Sequence, residues 1–173
     1  MKISLFISLF YFFILSAYGE ECISGNCFDG FGTYLWDNGD QYVGESKNNF
    51  SHGLGTYFFS TGDQYVGEWI DDNKHGIGTF LFRSGEYSGD KYIGQWINDR
   101  FHGQGTYYFS NGDILVGEWK DGEANGDGAI IYENGDIYIG EFKNTEKHGQ
   151  GKAFLSNGEL YHDGKWQNGD PIP

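Results

Sequence analysis

Proline is nearly missing from this chain of 173 residues: only Pro171 and Pro173 occur, both at the C-terminal end. That excludes a collagen-like chain or a proline-rich disordered one. Cysteine is equally scarce, with Cys22 and Cys27 alone, so a four-ligand zinc site of cysteines is excluded as well. Basic residues are few, 11 Lys and Arg against 25 Asp and Glu. Such a surface repels phosphate backbones and anionic lipid heads, which argues against nucleic acid and against membrane association. Long apolar runs are limited to one, Ile3 to Ala17, which is shorter than the ~20 residues of a membrane span. Also missing are a phosphate-cradling loop, a nucleophile motif and any singled-out carboxylate pair, so no enzyme site, metal or cofactor is expected.

The one apolar run follows Lys2 and precedes Ala17-Tyr18-Gly19, which sets small residues at the −3 and −1 positions of a signal-peptidase site. Residues 1–19 therefore read as a signal peptide cut between Gly19 and Glu20, and the chain as secreted, periplasmic or lumenal. The alternatives are an uncleaved anchor helix, opposed by the run's length, and a lipid-bearing Cys22, opposed by Glu21 directly before it. Cleavage takes away Lys2; 11 basic residues less one leaves 10 against 25 acidic, a formal charge of −15. In an oxidising compartment Cys22 and Cys27 are expected to form a disulfide within an N-terminal cap, residues 20–29, the alternative being a pair of free thiols.

Two residue types are in excess. Glycine occurs 29 times in 173 residues, against a usual ~7%. Aromatics make up 19%. Together they suggest rings packed where neighbours have no side chain.

Self-comparison shows the organisation. Gly-x-Gly recurs at Gly30, Gly53, Gly76, Gly103, Gly126 and Gly149, in steps of 23, 23, 27, 23 and 23 residues. Between these lie Tyr65-Val66-Gly67-Glu68-Trp69, Tyr92-Ile93-Gly94-Gln95-Trp96 and Tyr138-Ile139-Gly140-Glu141-Phe142, with Leu115-Val116-Gly117-Glu118-Trp119 as a variant. In the first copy, Tyr42-Val43-Gly44-Glu45-Ser46, serine replaces the second ring. Each unit reads as a hairpin: a strand-like run such as Thr106-Tyr107-Tyr108-Phe109, an Asn111-Gly112 turn, and a strand-like return from Ile114 to Trp119. The step of 27 reflects four extra residues within Arg83–Lys91. Alternation puts Tyr65, Gly67 and Trp69 on one face, with Gly105, Tyr107 and Phe109 likewise together. Stacked hairpins give twelve strands in one open antiparallel sheet, about 58 Å long at ~4.8 Å per strand. Each ring is expected to lie over a glycine of a neighbouring strand.

The run Tyr-x-Gly-x-Trp followed by Gly-x-Gly, as in Tyr65–Gly78 and Tyr92–Gly105, resembles the MORN repeat. The resemblance covers residues 28–170. It implies an all-β, single-layer, elongated antiparallel sheet of stacked hairpins over residues 30–170, with 171–173 as a tail. It also implies roles in protein–protein interaction and assembly, with phosphoinositide binding proposed for some members.

His52, His75, His102 and His148 share one position before Gly-x-Gly, with Asn125 and Asp29 in other copies. Successive members should lie about 9.6 Å apart, too far to share a metal. Asp40, Asp63, Asp90, Asp113 and Asp136 follow the turn glycines, where turn chemistry accounts for them. Asp121 to Tyr132 resembles an EF-hand loop only at its start and lacks the final glutamate. The ring row Tyr65, Trp69, Tyr92, Trp96, Trp119, Tyr138 and Phe142 is the candidate binding groove, although the same rings serve as the packing of the sheet. A single layer cannot cover both faces, so some rings should stay accessible to a partner. The expected function is a non-catalytic extracytoplasmic scaffold that holds a protein segment. The alternatives are a carbohydrate- or surface-polymer-binding module and a lipid-associating module.

Overall fold

The computed structural model describes residues 20–173. The predicted signal segment, with its boundary residue Gly19, lies outside the described residues. Fourteen strands follow one another in chain order. They are β1 (Glu20–Gly25), β2 (Gly30–Trp36), β3 (Gln41–Lys47), β4 (Phe50–Phe58), β5 (Gln64–Ile70), β6 (Asn73–Leu81) and β7 (Lys91–Ile97). There follow β8 (Arg100–Tyr108), β9 (Ile114–Lys120), β10 (Glu123–Ile131), β11 (Ile137–Lys143), β12 (Glu146–Phe154), β13 (Leu160–Gln167) and β14 (Asp170–Pro171). Each pairs antiparallel with the next in one open sheet, and the described residues contain no helix. The expected twelve strands become fourteen for two reasons. The cap region supplies β1, and Asp170–Pro171 folds back on Trp166 and Gln167.

The two ends of the hairpins use different turns. At the Asn-Gly end only the glycine has a positive φ, as in Gly39 at 89°. Its N–H donates to the Trp36 carbonyl and the Trp36 N–H to the Asp40 carbonyl. This is a three-residue turn ending in a left-handed glycine, not the two-residue turn expected from Asn-Gly. The two-residue turns lie at the opposite end, at Asn48-Asn49, Asp71-Asp72, Asn98-Asp99, Asp121-Gly122, Asn144-Thr145 and Asn168-Gly169, with both central residues at positive φ. Asn and Asp tolerate that conformation best among residues with a side chain.

The two glycines of Gly-x-Gly do separate work. The first, Gly76 in β6, has φ 56° and sits in a bulge where the register jumps between Gly67↔Gly78 and Glu68↔His75. Glu68 Oε1 accepts the Ile77 N–H left unpaired by the bulge, at 2.8 Å. The second, Gly78, lies under a ring: a Cβ there would stand 2.5 Å from Tyr65 Cε2, and one on Gly67 2.5 Å from Tyr65 Oη. The same glycine pairs lie under Tyr42, Tyr92 and Tyr138.

One face therefore carries the rings packed over glycine, whereas on the other Phe31 and Phe58 stand exposed. The outer face carries a ladder of opposed residues, Thr33, Val43, Thr56, Val66, Thr79, Ile93, Thr106 and Val116, one per strand from β2 to β9. β-branched side chains suit such a pleated surface.

Repeats are also stitched together at their turns. Asp63 Oδ1 accepts the Arg83 and Ser84 N–H groups, Asp90 Oδ1 that of Ser110, and Asp136 Oδ1 that of Ser156. Each aspartate so binds the turn of the following repeat. The opposite edge has its own stitches, with Asp72 Oδ1 accepting the Ser51 N–H and Asp99 Oδ1 that of Lys74.

The N-terminal end of the ring layer is closed by the Cys22–Cys27 disulfide. Trp69 covers Gly55, but its counterpart one repeat earlier is Ser46, which is buried and whose hydroxyl has no hydrogen-bond partner among the described residues. The glycine that a tryptophan at 46 would cover, Gly32, is covered by Cys27 Sγ instead, 2.7 Å from where a Cβ would stand.

Candidate functional site

All seven rings assigned to the candidate groove are buried, with Tyr65 and Tyr92 at 0% exposure. They alternate edge to face. Tyr65 meets Trp69 at 5.0 Å and Trp96 at 5.1 Å, and Tyr92 meets Trp96 at 5.4 Å and Trp119 at 5.3 Å. Tyr138 continues the pattern with Phe142 and Trp166. Such pairs stabilise by about 0.5–1.5 kcal/mol beyond the area they bury. Their polar ends are spent inside the fold. Trp69, Trp96 and Trp119 Nε1 donate to the carbonyls of Gly55, Gly78 and Gly105. Tyr65, Tyr92 and Tyr138 hydroxyls donate to the carbonyls of Glu68, Gln95 and Glu141. Burial, then the nearby Glu141 charge, raises the Tyr138 phenol to about 12, and burial drives those of Tyr65 and Tyr92 further up. These residues form the floor of a groove, not its accessible wall.

The wall is a second set of rings, half-buried and packed on the floor: Trp36, Tyr57, Phe59, Phe80, Phe82 and Phe109. They run as a zigzag along the sheet. Trp36–Tyr57 centroids are 5.2 Å apart, Tyr57–Phe59 4.5 Å, Phe59–Phe80 5.6 Å and Phe80–Phe82 4.5 Å. Tyr107 joins Phe82 at 6.0 Å to Phe109 at 4.6 Å. They come from the ends of β2, β4, β6 and β8 and the residues just past them. Sequence alternation places Tyr107 and Phe109 on the ring face, and the same alternation in Tyr34-Leu35-Trp36, Tyr57-Phe58-Phe59 and Phe80-Leu81-Phe82 marks the other wall rings.

Two clefts of about 390 Å³ each open along this wall. The first has a polar side and is lined by Trp36, Ser51, Tyr57, Trp69, Asp72 and Lys74, among others. The second is more apolar, formed by Phe82, Tyr87, Phe101, Tyr107, Phe109 and Trp119 with two turn residues. The four-residue insertion builds one side of it: Tyr87 leans on Phe82 at 6.0 Å.

Acids back the wall. Tyr57 donates to Asp40 Oδ2 at 2.8 Å and Tyr107 to Asp90 Oδ2 at 2.5 Å. Burial and then these carboxylates push both phenols well above their ordinary range. At the far end, burial lowers the Lys147 ammonium while Asp170 opposes the shift.

The histidines are separate units. His75 and His148 offer their carbonyls to Tyr65 and Tyr138, and His52 Nδ1 lies 3.6 Å from Asp71. Among the described residues no group of three His, Cys, Asp or Glu side chains could hold a metal ion. Asp121 and Gly122 are the central pair of a two-residue turn, not the opening of a calcium loop.

Comparison with known proteins adds the following. The MORN repeat profile matches residues 28–41, 42–64, 65–87, 92–114, 116–137 and 138–159. No curated protein matches the chain. Among solved structures, the SAS-4 TCP domain of Drosophila melanogaster, determined in complex with a proline-rich motif of Ana2, is similar over 92% of this chain and 89% of that one, at 16% identity and a TM-score of 0.48. MORN repeats are in general protein- or membrane-interaction modules. With six matched repeats spanning residues 28–159 and one uninterrupted sheet of hairpins, this chain belongs to the MORN-repeat family.

Proposed function

We propose that this protein is a non-catalytic, extracytoplasmic interaction scaffold whose ringed groove holds a segment of a protein partner. The observation that carries this reading is the second ring layer. Trp36, Tyr57, Phe59, Phe80, Phe82 and Phe109 are only partly buried, above a floor of buried rings. The floor supplies stability, so the wall is left to bind. Large apolar rings rimmed by polar groups are what protein interfaces favour at their centres. The rings are mutually tilted by 45° to 48° between Tyr57 and Phe82, which suits an irregular peptide surface better than a flat sugar chain. The formal charge of −15 for residues 20–173 favours a basic partner and opposes anionic lipid.

The test is capture from the native compartment with wild-type protein and with Phe82→Ser/Phe109→Ser. These positions lie outside the floor, so circular dichroism should show an intact sheet. Loss of a partner that the wild type holds supports the groove. Equal capture by both proteins contradicts it.

A further inference from the structure

Lys74 sits in a cage made by its own chain. Its Nζ lies 5.8 to 6.0 Å from the ring centroids of Phe59, Tyr65, Trp69, Phe80 and Trp96 and 2.9 Å from Asp99 Oδ1. Only 16% of its side chain is exposed. An ammonium ringed by π faces and closed by one carboxylate is a well-matched cation site.

The repeat builds a similar cage one unit earlier, short of one ring because the counterpart of Trp69 is Ser46. Ser51 stands 23 residues before Lys74 and, like it, directly precedes a His-Gly pair. Counterparts of Phe59, Phe80, Trp96 and Asp99 are Trp36, Tyr57, Trp69 and Asp72. The backbone agrees: Asp72 Oδ1 accepts the Ser51 N–H at 2.7 Å, as Asp99 Oδ1 accepts that of Lys74 at 3.1 Å. Trp36, Ser51, Tyr57, Trp69 and Asp72 line the first 390 Å³ cleft, with Lys74 and Asp99 beyond them. Two carboxylates and one ammonium leave this cleft a formal charge of −1.

Other units do not offer this. Lys147 fills its own place, 4.5 Å over Trp166. Phe101 fills its place with a ring, and Gly122 stands there where Asp99 stands for Lys74. Ala124 leaves room, but its turn residue is Thr145, whose hydroxyl accepts the Ala124 N–H. Among the described residues the Ser51 cage alone combines the ring set, the carboxylate and a small residue in place of the lysine.

We propose that the Ser51 cleft is a lysine pocket: the ammonium of a partner's lysine enters between Trp36, Tyr57 and Trp69 and donates to Asp72, in the way that Lys74 serves its own repeat. This rests on the groove reading and names the side chain the groove selects. A primary ammonium is preferred to a quaternary one because only the former can donate to the carboxylate.

The test is a titration of full-length mature protein with Nα-acetyl-lysine amide, followed by the NMR indole signals of Trp36 and Trp69. Saturable shifts are expected, absent with the Nε-acetylated analogue. Asp72→Asn should weaken binding by about tenfold, since it removes a charged hydrogen-bond acceptor. Ser51→Lys should fill the cage from within, abolish the response and raise the melting temperature, which separates occupation from misfolding. Asp121→Asn, the same loss of charge at a distant turn of that edge, should leave the titration unchanged. Equal binding of the acetylated analogue, unaltered binding by Ser51→Lys, or no saturable response would overturn the proposal. If the amine fails while Phe82→Ser/Phe109→Ser still loses the partner, the lysine pocket alone falls and the groove stands.

Discussion

The Trp96 indole, on β7, donates its N–H to the Gly78 carbonyl of the neighbouring strand β6 at 3.2 Å. That bond ties a ring of one repeat to the glycine of the repeat before it. Trp69 with Gly55, Trp119 with Gly105 and Trp166 with Gly151 repeat the arrangement. A sheet of one layer gains its core in this way, from rings lying on backbone.

Trp96→Ala should therefore act on stability before binding. Loss of a buried indole costs about 3–5 kcal/mol. Denaturant unfolding should show that loss, whereas Phe82→Ser should cost much less. Equal costs would mean that floor and wall are not distinct.

Gly78→Ala adds a methyl group against the Tyr65 ring and should destabilise by about 1–3 kcal/mol. Gly122→Ala meets no neighbouring atom within 4 Å, so its cost is confined to strain at φ 98°. Chemical denaturation of both variants checks the ranking.

Asp40 and Asp63 make the sheet acid-sensitive. Burial is the largest single influence and raises their carboxyls, but the hydrogen bonds from the Ser60 N–H to Asp40 and from the Arg83 N–H to Asp63, with others, together outweigh it and hold both below the usual 3.8. The folded value is the lower one. The stabilisation is thus present above about pH 4 and is lost as pH falls through the folded value. Melting temperature should drop on acidification below pH 4, and Asp40→Asn/Asp63→Asn should flatten that drop.

Cys27→Ala opens the N-terminal end of the ring layer over Gly32. Loss of the cross-link should cost about 2 kcal/mol. Hydrogen exchange should quicken in β1 and β2 while β7 to β12 stay protected. Uniform loss of protection would contradict a local plug.

Much of this fold was legible in the sequence. The 23-residue step, the 27-residue exception and the ring-over-glycine pairing are all read from Gly-x-Gly and Tyr-x-Gly-x-Trp, because each feature repeats in phase. The turns were legible only in place. Asn111-Gly112 resembles a two-residue turn, yet the strand register there calls for a third residue; of the two-residue turns, Asn168-Gly169 is the Asn-Gly pair, and most fell on pairs such as Asn98-Asp99 that carry no glycine. The groove was half legible. The row Tyr65 to Phe142 marks the ringed face correctly, but sequence alone does not separate its buried floor from the half-buried wall that Phe59, Phe82 and Phe109 add. Glu20 to Gly25 showed no repeat and so gave no sign of pairing as β1.

Site-specific photocrosslinking tests the groove most directly. A benzophenone side chain replaces Phe82 in one protein and Val66, on the outer face, in another, each produced in the native compartment. Crosslinks to a protein from position 82 and none from 66 are predicted. Crosslinks from 66 with silence at 82 would place the partner on the opposite face and contradict the binding role of the rings.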